Sequence, residues 1–166
     1  MKTVAVYAGS FDPITNGHLD ILYKACDVFD VVYCAVGNNP AKKHLFNLEQ
    51  RMDMILNSCA NPKVQVVSFS GSLVQFCRDK DCTHIIRGLR SVTDYEYEIQ
   101  LAAANKEFRS DTNTVFFIPD AEHLHISSSM VKEFFCADED VSKFISPYVL
   151  NMLKGIRATN ELMGKA

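Results

Sequence analysis

Five short β-branched runs, at residues 3–7, 31–37, 64–69, 84–87 and 115–118, alternate with helical stretches at 18–29, 48–60, 73–80 and 94–108. Few folds tolerate that rhythm. In 18–29, Leu19, Leu22, Cys26 and Phe29 share one face with Ile21 and Ala25, and in 48–60, Leu48, Met52, Ile55, Leu56 and Cys59 recur every three or four residues. Strand then helix, repeated, is the pattern of a parallel sheet covered on both faces. Right-handed crossovers leave little topological freedom, so the chain is predicted to be α/β, a doubly wound five-stranded parallel sheet with C-terminal helices. Those helices read as 127–136 and 147–156, with a turn near 141–145 and Pro147 in a first turn. Gly155 and Gly164 read as points of fraying or termination. With no repeat or linker to split it, residues 1–166 read as one domain.

Charge limits the function. Seventeen Lys and Arg against twenty Asp and Glu leave a net charge of −3, which argues against a nucleic-acid binder or an anionic-membrane binder. Any anion site must then be local. The six cysteines show neither C-x-x-C nor Cys/His ligand spacing, and most lie in apolar stretches. They read as buried thiols of a reducing cytoplasm. No stretch of about 18 apolar residues suggests a membrane span, and the apolar run at 4–8 is too short for a signal sequence.

In such a sheet a ligand meets the carboxyl ends of the strands. The first strand is followed by Gly9-Ser10-Phe11-Asp12-Pro13-Ile14-Thr15-Asn16-Gly17-His18, running straight into a helix. Thr15 and Asn16 are both of capping type, and His18 falls in a first turn, where free N–H groups favour an anion. Neither G-x-G-x-x-G nor G-x-x-x-x-G-K-[ST] occurs anywhere in the chain. After the fourth strand comes Arg87-Gly88-Leu89-Arg90, leading to Asp94-Tyr95-Glu96-Tyr97-Glu98; two arginines three apart can clamp two phosphates. After the fifth comes Ile126-Ser127-Ser128-Ser129-Met130-Val131-Lys132, three hydroxyls opening a helix. Lys42 and Lys43 supply cations in the loop after the second strand.

The first segment resembles the T-x-G-H form of the motif that marks the nucleotidyltransferase superfamily, and 126–132 resembles that superfamily's I-S-S-[ST]-x-[IV]-[RK] element. The string from Arg87 to Glu98 closely resembles the corresponding segment of the phosphopantetheine adenylyltransferase family. That resemblance covers the chain to about Leu153 and implies a Rossmann-like nucleotidyltransferase fold. It also implies adenylyl transfer from ATP, carried with Mg²⁺, to 4′-phosphopantetheine, in a homohexamer inhibited by coenzyme A.

By the same resemblance Ser10, Lys42, Leu73 and Arg87 hold phosphopantetheine. Ser10, Phe11, His18, Gly88, Leu89, Arg90, Glu98 and the span His123, Leu124, His125, Ile126, Ser127, Ser128 and Ser129 hold ATP. His18, Lys42 and Arg90 are the residues implied to act on the reacting phosphates. No residue is assigned to a metal; Asp12 and Glu98 are acidic residues of the motifs, but no sequence rule makes either a metal ligand. The chain departs from the family pattern at Ala8, where Pro is common, and at His44, whose place is usually Pro, which predicts a looser Lys42 loop. It departs again over 136–139. A nucleotidyltransferase with a nicotinamide mononucleotide or polyol phosphate acceptor, and a non-catalytic nucleotide-binding regulator, remain alternatives on these residues alone.

Overall fold

A computed structural model describes residues 2–163, with side chains described through Ala158. Strands β1 (Val4–Gly9), β2 (Val31–Gly37), β3 (Val64–Phe69), β4 (His84–Gly88) and β5 (Asn113–Phe117) form one parallel sheet in the order β3-β2-β1-β4-β5. Helices α1 (Asn16–Val28), α2 (Leu48–Ser58), α3 (Leu73–Asp79) and α4 (Val92–Phe108) are the crossovers. A short 3-10 turn (Ala121–His123), α5 (Ser128–Cys136) and α6 (Pro147–Met163) complete the chain. The doubly wound expectation holds. The strand order reverses between β1 and β4, and such a switch point opens a crevice at the carboxyl edge.

Alternation along β1 divides the core. Ala5 and Tyr7 face a larger apolar cluster with Leu22, Cys34, Ile55, Ile86 and Leu153, whereas Val6 and Ala8 face a smaller one with Phe76, Cys77 and Ile85. Helix α4 joins neither. None of its 17 residues is buried, and Val92, Tyr95, Tyr97 and Ile99 stand in solvent.

Several boundaries differ from the sequence reading. β1 runs on to Gly9, because Ala8, unlike a proline, carries an N–H for the ladder; Ala8 pairs with Ala35 and Gly9 with Val36. Asn113 begins β5, two residues early, paired with His84. Gly155 does not stop α6, which continues to Met163. One glycine costs a helix only about 1 kcal/mol, and Val149 and Leu153 anchor this one in the core. Gly164 lies outside the described residues. Cys26, Cys34, Cys77 and Cys82 are buried free thiols, Cys59 is half-buried and Cys136 is exposed.

Candidate active site at the β1–β4 switch point

Thr15 is the N-cap of α1, and the cap is reciprocal: Thr15 Oγ1 accepts from the His18 N–H at 3.4 Å, and the Thr15 N–H donates to His18 Nδ1 at 3.1 Å. With Nδ1 an acceptor, the ring proton of neutral His18 sits on Nε2, the nitrogen turned away from the cap. The ring packs edge-on against Phe11, with centroids 5.3 Å apart, and Phe11 in turn meets Tyr7. Phe11 holds a left-handed backbone (φ 47°), and its ring lies so close over Gly9 that a Cβ there would meet it at 3.0 Å. Desolvation, with repulsion from Arg90, pushes the His18 pKa down to about 4. At neutral pH His18 is therefore a fixed, uncharged donor.

Of the N–H groups at the start of α1, two are already committed. Asn16 N–H donates to the Phe144 carbonyl at 2.8 Å and His18 N–H is spent on the cap, which leaves Gly17, on the wall of an adjoining cavity, as the first-turn residue placed to offer its N–H.

Two cavities meet beside this turn. One, of about 140 Å³, is lined by Phe11, Gly17, His18, Arg87, Gly88, Arg90, Glu98 and Ile126, among others. The other, of about 480 Å³, is lined by Ser10, Asn38, Asn39, Lys42, Leu73 and Arg87, among others. Ala8, Gly9 and Arg87 belong to both walls. Arg87 Nη1 donates to the Ala8 carbonyl at 3.2 Å, and Nε faces Glu98 at 3.1 Å in an ion pair without hydrogen-bond alignment. Arg90 lies over the serine turn, with Nη1 on the Ile126 carbonyl at 3.3 Å and Nε on Asp94 at 3.3 Å.

The structure thus gathers Ser10, Phe11, His18, Lys42, Leu73, Arg87, Gly88, Arg90, Glu98 and Ile126 around one pair of cavities. Others stand apart from them. Leu89 donates its N–H to the Phe117 carbonyl. Ser127 caps α5 by accepting from the Met130 N–H, and the Ser128 hydroxyl proton goes to the Pro13 carbonyl at 2.8 Å. Ser129 and Leu124 are exposed. His123 and His125 line a separate recess with Lys143, His123 lying 3.6 Å from Asp20 and His125 edge-on to Phe144.

The supporting roles of three residues escaped the sequence reading. Asp12, 4% exposed, accepts from the N–H groups of Leu45 and Phe46 at 2.9 Å and pairs with Lys132 at 3.0 Å. Burial alone would raise its pKa; those three donors hold it below the ordinary carboxylate value. They also pin the far end of the Lys42 loop, and His44 faces Asp12 at 3.8 Å, so this end is tethered where a looser loop was expected. Asp12 and Lys132 are 120 positions apart, a partnership no local pattern announces. Arg51 is the third, fully buried on α2. Its one sequence signal is a charge on the apolar stripe of Leu48, Met52 and Ile55.

Asp12→Asn is expected to lower stability at pH 7 by about 1–3 kcal/mol, the cost of weakening hydrogen bonds to a buried charge. A carboxyl whose folded pKa is depressed stabilises above its unfolded value and loses that contribution as pH falls through the folded one. The gap to the parent protein should therefore close below about pH 4 in thermal melts.

Residues 6–134 match the family model described as cytidylyltransferase-like. The chain is 44% identical over 154 residues to the phosphopantetheine adenylyltransferase of Nautilia profundicola, covering 92% of this chain and all of that one. It also superposes, with a TM-score of 0.64 at 15% identity, on the crystal structure of a Vibrio parahaemolyticus protein described as a nicotinate-nucleotide adenylyltransferase, over 92% of this chain and 99% of that chain. At that identity the superposition speaks for the fold alone. Fold, switch-point crevice and family match together make the chain a member of the cytidylyltransferase-like nucleotidyltransferases. Within that class it belongs to the phosphopantetheine adenylyltransferase family.

Proposed function

We propose that the chain transfers the adenylyl group of MgATP to the phosphate of 4′-phosphopantetheine, giving dephospho-coenzyme A and pyrophosphate. The observation that carries this reading is the pair of cavities sharing Arg87, Ala8 and Gly9, one holding His18 and Arg90, the other Lys42 and Leu73. Two anions seated one in each cavity meet over a common cationic wall.

The acceptor phosphate has a second pKa near ~6, so at neutral pH its oxygen is already ionised and no protein base is needed. That oxygen attacks the α-phosphorus in line, the bond from the α-phosphorus to the bridging oxygen breaks, and pyrophosphate leaves with its electron pair. The protein's part is positioning and charge stabilisation. Lys42 and Arg87 hold the acceptor phosphate, the Nε2–H of His18 donates to the α-phosphoryl oxygens, and Arg90, lying over the serine turn, receives the β/γ end. The six free thiols take no part and suit a cytoplasmic setting.

Magnesium enters as part of the nucleotide substrate. The carboxylates nearest the cleft are engaged, Glu98 by Arg87 and Asp94 by Arg90. Among the described residues the one cluster with metal-ligand spacing, Asp20, Asp120 and His123, is bridged by the Lys24 ammonium at 3.0 and 2.8 Å. The residues present therefore do not form a magnesium cage. Incubation with MgATP and 4′-phosphopantetheine, followed by chromatography, should yield dephospho-coenzyme A and pyrophosphate in equal amounts. Absence of that product, or product only with nicotinamide mononucleotide, overturns the reading.

Coenzyme A carries the same pantetheine arm and is expected to compete at the Lys42 cavity. Self-association, a homohexamer by the family resemblance, finds support in α4, where Val92 is 76% and Tyr97 66% exposed. Tyr97→Glu should move sedimentation from the oligomer towards smaller species; unchanged sedimentation would remove α4 from any interface.

A further inference from the structure

Arg51 is the largest fully buried side chain of the molecule's described core, and it touches neither cavity. From α2 its Nη1 donates to two backbone carbonyls, that of Ser10 at 2.7 Å and that of Gly37 at 3.1 Å. Both lie just past the last rung of the β1–β2 ladder, Gly9 against Val36. Beyond that rung β1 and β2 no longer pair with each other, although Gly37 is still paired with Phe69 of β3, and a carbonyl left alone away from water is costly. The guanidinium meets both with one planar nitrogen, whose two hydrogens diverge at a fixed angle. Arg51 Nε has no partner of its own, so the side chain is placed by these carbonyls and by the field of Asp12.

Ser10 and Gly37 both wall the larger cavity, and past Gly37 the chain runs through Asn38, Asn39 and Pro40 to Lys42 on the same wall. Asp12 holds the far end of this loop through Leu45 and Phe46, and Arg51 holds its near end against Ser10. We infer that Arg51 is a positioning residue for the acceptor side: by tying the ends of β1 and β2 together it sets the gap between Ser10 and the Lys42 loop, and so the grip on the acceptor's phosphate. His18, Arg90 and the serine turn are mounted on α1, the β4–α4 turn and α5, outside the clamp. Ser10 is the one residue of the clamp also implied to hold ATP, so ATP binding should be affected less than acceptor binding. This inference rests on the proposed reading of the Lys42 cavity as the acceptor site.

The test compares Arg51→Met and Arg51→Lys with the parent protein, each first checked for folding by near-ultraviolet circular dichroism. Arg51→Met, with no donor, is expected to raise the KM for phosphopantetheine about tenfold or more while the KM for ATP stays within about threefold. Arg51→Lys, whose ammonium is one bond shorter but can still reach a carbonyl, should return part of the loss. Equal rises in both KM values, a fall in kcat with both KM values unchanged, or a lysine variant no better than methionine each overturn the inference. So does loss of the folded state in both variants, since Arg51 would then hold the fold rather than the loop. If the parent protein makes no dephospho-coenzyme A, it is the proposed function that fails.

Discussion

Replacing His18 with alanine is expected to lower kcat by about 10²- to 10³-fold while the KM for ATP changes far less, the signature of a donor aimed at charge that develops in the transition state. Geometry sets the expectation. The Thr15 N–H fixes Nδ1 as acceptor, Phe11 fixes the ring plane, and the remaining Nε2–H points away from the cap. Because burial and Arg90 keep the pKa down to about 4, the ring holds one proton throughout the neutral range. The low-pH limb of kcat/KM for the acceptor should then follow the free acceptor phosphate near ~6 and persist in the variant.

Stability should respond differently. Between the unfolded histidine value of about 6.5 and the folded one, the unfolded chain binds the extra proton, so stability falls as pH is lowered through that window. His18→Ala should remove that part of the slope. A pH-rate limb that vanishes with His18, or an unchanged kcat, would show that the imidazole does not act as assigned.

Arg90→Ala is expected to raise the KM for ATP about 10- to 100-fold with little effect on phosphopantetheine, the size expected for one charged hydrogen-bonding group lost. Arg90 lies in the His18 cavity alone, over the serine turn. Arg87 belongs to both walls, so Arg87→Ala should weaken both substrates, the acceptor more strongly since Lys42 and Arg87 share its phosphate. Glu98 would be released at the same time, leaving an uncompensated carboxylate at the cleft. Glu98→Gln separates the two effects: it frees Arg87 without removing it and should spare acceptor binding. Isothermal titration of each ligand in turn reads these outcomes directly. Arg90→Ala acting on the acceptor alone would reverse the assignment of the two cavities.

Much of this was legible in the residues. Strand and helix order emerged from periodicity, because each element's apolar face is written within a dozen positions. The three segments that carry the site were visible for the same reason, each a contiguous string at a strand's end. Thr15 and Asn16 were both candidate caps, and the reciprocal bond with His18 chose Thr15. The serine turn read as a row of phosphate donors; only the fold shows that the Ser128 hydroxyl donates to the Pro13 carbonyl, whereas Ser127 Oγ accepts from the Met130 N–H and keeps its own proton. Helix α4 looked like an ordinary crossover, yet it buries nothing.

What the sequence by itself determined was local: where strands and helices form, and which strings open them, since φ/ψ preference, capping and amphipathic spacing act over a few residues. Only the tertiary structure decided which charges share a buried space. Arg51 finds carbonyls at the ends of two different strands, and Asp12 finds Lys132 across 120 positions. A buried charge is satisfied by whatever groups the fold brings within about 3 Å, and that distance has no counterpart along the chain.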